Sequence, residues 1–293
     1  MDQSQLEIDI FPRFLTYWEG VKNLSLDEQI ERWANEYLGP YPELLAKQTE
    51  DYAQQGLDWR QVAREKVFPF LGKHLEAMRR GHELLLTQWP AVLLRAEETL
   101  GYSDPTLAVF YVGIGCGAGW VTPYQGLPAV LFGLEAVAEC GWTSVEAISG
   151  MIAHELGHVI HFAWRGGQGE LPAGDPWWQL YEEGFASRCE GLILGRDSFH
   201  QACDPDPDWL AYCRSRRPWL AQRFLDVVSS HGDERPFFGS WFRIEGHSET
   251  GYFLGHEVIR YLEGRSSLRQ IALLEDYEPA CVEALRSFAA DEA

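Results

Sequence analysis

The sequence predicts an α+β fold that is mostly helical, with one small antiparallel sheet flanked by helical regions. Apolar residues recur at helical spacing in the N-terminal third and again after residue 145. Between them, two short runs rich in β-branched and aromatic residues have the composition of strands. We therefore expect an N-terminal helical region, a core that holds the sheet, and a C-terminal helical region. Their bounds are 1–103, 104–200 and 201–293.

The N-terminal region is expected to consist of helices with defined starts and breaks. Residues 24–28 (LSLDE) have the pattern of a helix start, and residues 58–78 form a long periodic segment. A further helix is expected over 82–100. We expect Trp89-Pro90 to interrupt it early, because proline lacks the N–H that a helix interior needs.

Two strands are expected in the core, at residues 107–112 (LAVFYV) and 127–134 (LPAVLFGL). The segment 113–119 (GIGCGAG) has glycine at alternate positions, as some phosphate-binding loops do. No helix pattern opens directly after it and no βαβ unit surrounds it. The sequence therefore favours a permissive turn rather than a phosphate site.

A well-delimited helix is expected after the second strand. Residues 143–146 (TSVE) have the capping-box pattern that begins a helix, and Gly166-Gly167 would end it. Between these signals, apolar residues recur at helical spacing and predict an amphipathic helix. The residues of this stripe are Val145, Ile148, Ile152, Val159 and Phe162.

Residues 154–158 (HELGH) lie in the middle of that helix. His154 and His158 are four positions apart and so lie one above the other on the helix surface, where their imidazoles can converge on one metal ion. Glu155 points in another direction and can take a proton from a water molecule. This division of roles is typical of zinc hydrolases.

A catalytic zinc site usually has three protein ligands, so a third is expected elsewhere. The best candidate is Glu183, which follows His158 by 25 positions in a helix expected from about 177 to 194. Small residues beside it, Gly184 and Ala186, would let this helix pack closely on the first. A glutamate alone would be read as a solvated helix charge.

The two motifs resemble those of the gluzincin metallopeptidases, in which an HExxH helix is followed by a glutamate ligand in an E-G-F-A-like helix. Residues 251–255 (GYFLG) resemble the G-Y-x-x-G helix of a bacterial family of predicted zinc-dependent proteases. The resemblance covers about residues 40–265. It implies a zincin-like core and one Zn²⁺ held by His154, His158 and Glu183. It also implies hydrolysis of peptide bonds with Glu155 as the general base.

The chain departs from the gluzincin pattern around the third ligand. Glu182 stands where many members carry asparagine. Ser187 stands where gluzincins often have an aspartate that orients the first histidine, and a serine adds no negative charge. Glu190, one turn further along the same face, is the alternative for that role.

The resemblance also implies a donor for the developing oxyanion and a strand that pairs with substrate. Tyr252 is the first choice for the donor, because a phenol donates without adding charge, and His247 is the second. His161 is expected to be neither a ligand nor an orienting residue. In zincin-like folds the edge strand above the metal helix pairs with an extended peptide, and we expect segment 127–134 to be that strand.

Composition narrows the range of partners. The formal net charge is −20. Binding to nucleic acids or to anionic membranes requires a cluster of basic residues, so the sequence predicts neither partner. Residues 1–7 show no secretory signal, no apolar run approaches the roughly 20 residues of a membrane span, and six cysteines show no CxxC pair. We expect a cytoplasmic protein that acts on a peptide or protein, with an oligomeric state that the sequence does not determine.

Two other functions fit the same residues. One is a non-proteolytic metal-binding protein with a regulatory or assembly role on a gluzincin scaffold. The other is a zinc hydrolase of a non-peptide amide or ester. The choice between endopeptidase and exopeptidase is also open, because no segment matches the acidic anchor that aminopeptidases use for the substrate amine.

Overall fold

The computed structural model describes residues 6–167, 174–203 and 206–291. Residues 1–5, the start of the segment in which no secretory signal is expected, lie outside these ranges. The chain divides into two compact units, one of Met1–Ala91 with Ser103–Ile148 and the other of Val92–Tyr102 with Ser149–Ala293. The three regions expected from the sequence stay a prediction.

Helices α1 to α6 begin in the first unit. They are α1 (Phe11–Val21), α2 (Leu26–Arg32), α3 (Pro42–Gln54), α4 (Trp59–Val62), α5 (Phe68–Leu100) and α6 (Leu134–Glu139). The predicted start of α2 is confirmed, since Ser25 and Glu28 cap each other's backbone N–H reciprocally. The predicted interruption at Trp89-Pro90 is wrong, because α5 runs through Pro90. The Trp89 ring is fully buried and packs edge-on against Phe132 at 5.8 Å, and this burial offsets the hydrogen bond that proline removes.

The sheet is mixed, which corrects the predicted antiparallel sheet. Its strands are β1 (Glu7–Asp9), β2 (Leu107–Tyr111), β3 (Trp120–Tyr124) and β4 (Leu127–Gly133), in the order β1-β2-β4-β3. β2 is parallel to both β1 and β4, and only β3 and β4 are antiparallel. The β3–β4 turn at Gln125-Gly126 has positive φ at both residues, as tight hairpins require.

Segment 127–134 is not an edge strand, so this prediction is also wrong. β4 pairs with β2 on one side and with β3 on the other, and its residues from Ala129 onward are buried. The hairpin folds β3 to the outside and places β4 next to β2. β3 and β1 are therefore the two edges of the sheet.

The glycine-rich segment 113–119 is held by a buried carboxylate. Glu135, at the start of α6, accepts hydrogen bonds from the backbone N–H of Gly113 at 2.6 Å and of Gly115 at 3.0 Å. Tyr52 donates its hydroxyl to the carbonyl of Ile114 at 2.8 Å. These two amides face a protein carboxylate and are not available to a phosphate. Burial raises the pKa of Glu135 to about 7.

The rest of the chain is helical. Its elements are α7 (Val145–Trp164), α8 (Pro176–Leu194), a 3₁₀ turn (His200–Ala202), α9 (Trp209–Ser215), α10 (Arg217–Ser229), α11 (Arg235–Phe238), α12 (Thr250–Glu263), α13 (Leu268–Ala272) and α14 (Tyr277–Ala290). The expected mostly helical α+β class is thus confirmed. Across the described ranges, no helix joins enough length with enough apolarity to cross a bilayer.

Helix α7 has the predicted bounds but not the predicted amphipathic character. Ser144 caps it by accepting the Ala147 N–H at 3.1 Å, one residue later than the TSVE pattern places the cap. It ends at Gly166-Gly167, both at positive φ, as predicted. Between Ala147 and His161 it is buried on every face, with only His158 partly exposed. It is a central helix rather than a surface one.

Small residues bring α8 into contact with α7 and α12. A Cβ added to Gly157 of α7 would lie 2.7 Å from the Cα of Ala186 in α8, as the prediction for Ala186 requires. Gly184 behaves differently: a Cβ there would overlap the backbone of Gly255 in α12. The expectation that Gly184 packs on α7 is therefore wrong. The glycine pair lets α8 and α12 touch backbone to backbone.

Candidate metal centre

Three side-chain atoms from α7 and α8 form a nearly equilateral triangle. His154 Nε2 lies 3.1 Å from Glu183 Oε2 and 3.1 Å from His158 Nε2, and His158 Nε2 lies 3.3 Å from Glu183 Oε2. The two histidines come from successive turns of α7. Glu183 reaches them because Ala186, one turn further along α8, packs on Gly157.

The triangle has the dimensions of three corners of a zinc tetrahedron. Ligand atoms about 2.0–2.1 Å from a tetrahedral zinc ion lie about 3.3 Å from one another. Two imidazole nitrogens and a carboxylate oxygen all present lone pairs, and one proton can bridge only one of the three pairs at a time. A single cation satisfies all three at once, so the donor set fits a metal ion.

Burial and neighbouring charges set the protonation of these groups. Burial lowers the pKa of His154 to about 4, against the opposing effect of Glu183. Burial would also lower the pKa of His158, but the Glu183 and Glu182 carboxylates raise it well above its ordinary value. For Glu183, burial is outweighed by the two histidines, which lower its pKa.

Each of these two histidines also has a carboxylate near its other ring nitrogen. His154 Nδ1 lies 4.0 Å from Glu190 Oε2, and His158 Nδ1 lies 3.6 Å from Glu182 Oε1. Ser187 Oγ is buried and makes no hydrogen bond within the described residues. Of the two residues considered for orienting the first histidine, Glu190 is thus the one placed at His154.

Glu155 lies between the two histidines on α7 and is 7% exposed. Burial raises the pKa of its carboxyl to about 7, partly offset by His158 and reinforced by Glu183. A carboxyl with a pKa near neutrality can both accept and return a proton.

The two candidates for the oxyanion donor differ in their surroundings. The ring of Tyr252, in the first turn of α12, lies 5.5 Å from the ring of His154. His247 instead pairs its Nδ1 with Asp206 at 2.8 Å and stacks on Tyr212 at 4.1 Å. Tyr252 is therefore the one that lies beside His154.

His161 lies in an aromatic environment away from the three donor atoms. Its ring stacks on Phe185 at 4.4 Å, and its Nε2 lies 3.2 Å from the carbonyl of Ala272. Burial lowers the pKa of His161 to about 3, which keeps the ring neutral. These contacts fit the packing role expected for this residue.

Two residues that the sequence did not predict border the centre. His200, in the 3₁₀ turn, places its ring 5.0 Å from that of His154, and with Glu190 these two histidines form a second possible ligand set. Glu249, just before α12, has a positive φ and a pKa that burial raises to about 7. Both come from turns, where no residue spacing predicts what a side chain will face.

Comparison of the chain with protein-family models, with curated proteins and with solved structures finds no match. The likeness to gluzincins therefore rests on the motifs at residues 154–158, 183–186 and 251–255.

Proposed function

We propose that the protein is a zinc-dependent metallopeptidase with a zincin-like core. The observation that carries this proposal is the triangle of His154, His158 and Glu183, whose edges of 3.1, 3.1 and 3.3 Å match a tetrahedral zinc site with one position left for a reactant. A purely structural zinc site has four protein ligands. It also has no need of a buried carboxylate such as Glu155 between two ligands.

A bound zinc ion would supply Lewis acidity and lower the pKa of a water molecule. Glu155 accepts the proton of that water and delivers it to the leaving amine, and its burial keeps this proton from bulk solvent. Tyr252 donates its hydroxyl to the oxyanion that develops on the scissile carbonyl. His154 and His158 act through their Nε2 atoms, so their Nδ1 atoms remain free to carry protons.

The motifs support a substrate class, and the cysteines support a compartment. The E-G-F-A and G-Y-x-x-G motifs resemble those of known and predicted peptidases, which favours a peptide or protein substrate over another amide or an ester. Six cysteines without a disulfide favour a reducing compartment such as the cytoplasm.

The proposal is tested with purified full-length protein, its metal content and a peptide library. We expect about one zinc per chain and cleavage products that disappear with a chelator. Glu155→Gln should retain zinc and lose activity by about 10²–10⁴-fold, because the amide cannot carry the proton.

A matched control is Glu146→Gln, which changes an exposed glutamate of the same helix and should leave cleavage unchanged. Undiminished cleavage by Glu155→Gln would remove Glu155 from the base role. Zinc binding without any peptide products, combined with turnover of small esters or amides, would favour the non-peptide hydrolase. Zinc binding without turnover of any kind would favour the non-proteolytic alternative.

A further inference from the structure

Beside the triangle of His154, His158 and Glu183 lies a buried cluster of polar side chains formed by Glu190, Ser198 and His200. Glu190 of α8 has no exposed surface, and both of its oxygens accept hydrogen bonds. Oε1 accepts from the hydroxyl of Ser198 at 2.8 Å, and Oε2 lies 2.8 Å from Nδ1 of His200. A buried carboxylate is stable only with partners of this kind.

The cluster is directed at the first ligand histidine. The rings of His200 and His154 are 5.0 Å apart in an edge-to-face arrangement, and His154 Nδ1 lies 4.0 Å from Glu190 Oε2. That nitrogen is buried and makes no hydrogen bond within the described residues. Glu190 is therefore the carboxylate placed at this nitrogen.

The backbone of α7 has a glycine at the point where this cluster approaches. A Cβ added to Gly150 would lie 2.8 Å from Glu190 Oε1 and 2.9 Å from the Cβ of His200. Gly150 precedes His154 by four residues and so lies on the same side of α7. Glu190 and His200 can approach the backbone of α7 this closely only because Gly150 has no side chain.

Building on the metal site proposed above, we propose that Glu190, His200 and Ser198 position His154 for metal binding. Glu190 attracts the proton of His154 to Nδ1, which leaves the lone pair on Nε2, the atom in the triangle. Ser198 and His200 hold the carboxylate in place, so the 198–200 segment takes over what an aspartate one turn after the third ligand does in many gluzincins. The three residues are positioning residues and do not touch substrate.

A second metal ion bound by His154, Glu190 and His200 is the alternative use of these residues. The distances favour positioning instead. The His200–Glu190 distance of 2.8 Å is that of a hydrogen bond, whereas Glu190 and His154 are 4.0 Å apart, and neither matches the roughly 3.3 Å between two ligands of one tetrahedral ion.

The test is a titration of metal-free full-length protein with Zn²⁺ in competition with a chromophoric chelator. We expect one ion per chain in the wild type, and an affinity about 10–100-fold lower in Glu190→Gln with the same stoichiometry. His200→Gln should weaken binding less, and Ser198→Ala least, because each removes only one of the bonds that hold Glu190. The exposed His231, changed in His231→Asn, is the control and should bind zinc as the wild type does.

A second readout does not depend on metal. Imidazole ¹⁵N NMR of the metal-free protein should show His154 protonated on Nδ1 in the wild type and a weaker preference in Glu190→Gln. The thermal midpoint of each metal-free variant identifies any that fail to fold. Ser198→Ala, the mildest change, keeps the test usable if Glu190→Gln does not fold.

The outcomes separate this inference from the proposed function. Absence of zinc binding by the wild type would overturn the metallopeptidase proposal itself. One zinc per wild-type chain with unchanged affinity in Glu190→Gln and His200→Gln would overturn only the positioning role. Two ions per chain, with one lost in Glu190→Gln, would replace positioning by a second metal site.

Discussion

Both units of the chain bury a glutamate, but they surround it differently. In the first unit Glu135 accepts hydrogen bonds from two backbone amides of the segment 113–119. In the second unit Glu190 is bound by a hydroxyl and an imidazole of the segment 198–200. Glu135 holds a glycine-rich turn, whereas Glu190 lies in a cluster of polar side chains next to His154.

The partners decide what each acid does. Burial raises the pKa of Glu135 to about 7, because neutral amides only partly compensate the loss of water. Burial acts on Glu190 as well, but His200 outweighs it and lowers the pKa of Glu190 below its ordinary value. In this chain the buried carboxylate beside imidazoles is the one next to the candidate metal centre, and the one beside backbone amides holds a turn.

The largest expected effect is a loss of zinc affinity, and it tests the group of imidazoles and carboxylates in the second unit. Glu183→Ala removes one of the three donor atoms and should lower zinc affinity by well over 100-fold. This loss exceeds the 10–100-fold expected when a residue that only orients a ligand is replaced. The measurement is a competition titration with Glu97→Ala, an exposed glutamate of α5, as the control. Wild-type affinity in Glu183→Ala would mean that another residue is the third ligand.

The next effect is a pH dependence of stability, and it tests Glu135 and the backbone amides of the first unit. The pKa of Glu135 is raised by folding from 4.5 to about 7, so its contribution to stability is full below pH 4.5 and is lost as pH rises through about 7. This amounts to about 3 kcal/mol. Glu135→Gln, which cannot ionise, should flatten that decline in urea unfolding of metal-free protein between pH 4.5 and 8. An identical decline in both proteins would show that Glu135 ionises freely when buried.

A third prediction concerns the ring beside His154. Tyr252→Phe should lower kcat by about 100-fold, with little change in KM, because the hydroxyl acts mainly on the oxyanion of the transition state. Steady-state kinetics on a peptide identified from the library would measure this. An unchanged kcat would make Tyr252 a packing residue of α12.

The smallest effect concerns the contact between α8 and α12. Gly255→Ala introduces a methyl group where Leu180 and Gly184 leave no space, and should lower the free energy of unfolding by about 1–3 kcal/mol. Gly20→Ala in α1 is the control, since its added Cβ meets nothing closer than 4.0 Å and should be neutral or stabilising. Equal stability of the two variants would show that the helices can move apart without cost.

The parts of the molecule that the sequence predicted well are those set by local spacing. The bounds of α7 and α8 follow from caps and glycines within a few residues of each end. His154 and His158 come together because a helix turn spans 3.6 residues. Glu183 could be predicted only because a known motif pairs such a glutamate with the upstream histidines.

What the sequence could not predict depends on contacts between distant segments. β1 is only three residues long, which is too short to show a strand pattern. β4 pairs with β2 as well as with its hairpin partner β3, and no local pattern predicts that second pairing. Pro90 remains in a helix because Trp89 is buried by residues far away in the chain. His200 follows Glu190 by only ten residues, but no residue spacing in the turn that carries His200 predicts that the two side chains meet.

The facing glycines of α8 and α12 have a consequence for how this protein can vary. Where Gly184 and Gly255 face each other, main-chain atoms are already in contact, so a side chain at either position requires the two helices to move apart. Tyr252 lies on α12 and His154 on α7, with ring centroids 5.5 Å apart. We therefore expect a larger residue at either glycine to change the distance between the phenol and the histidine.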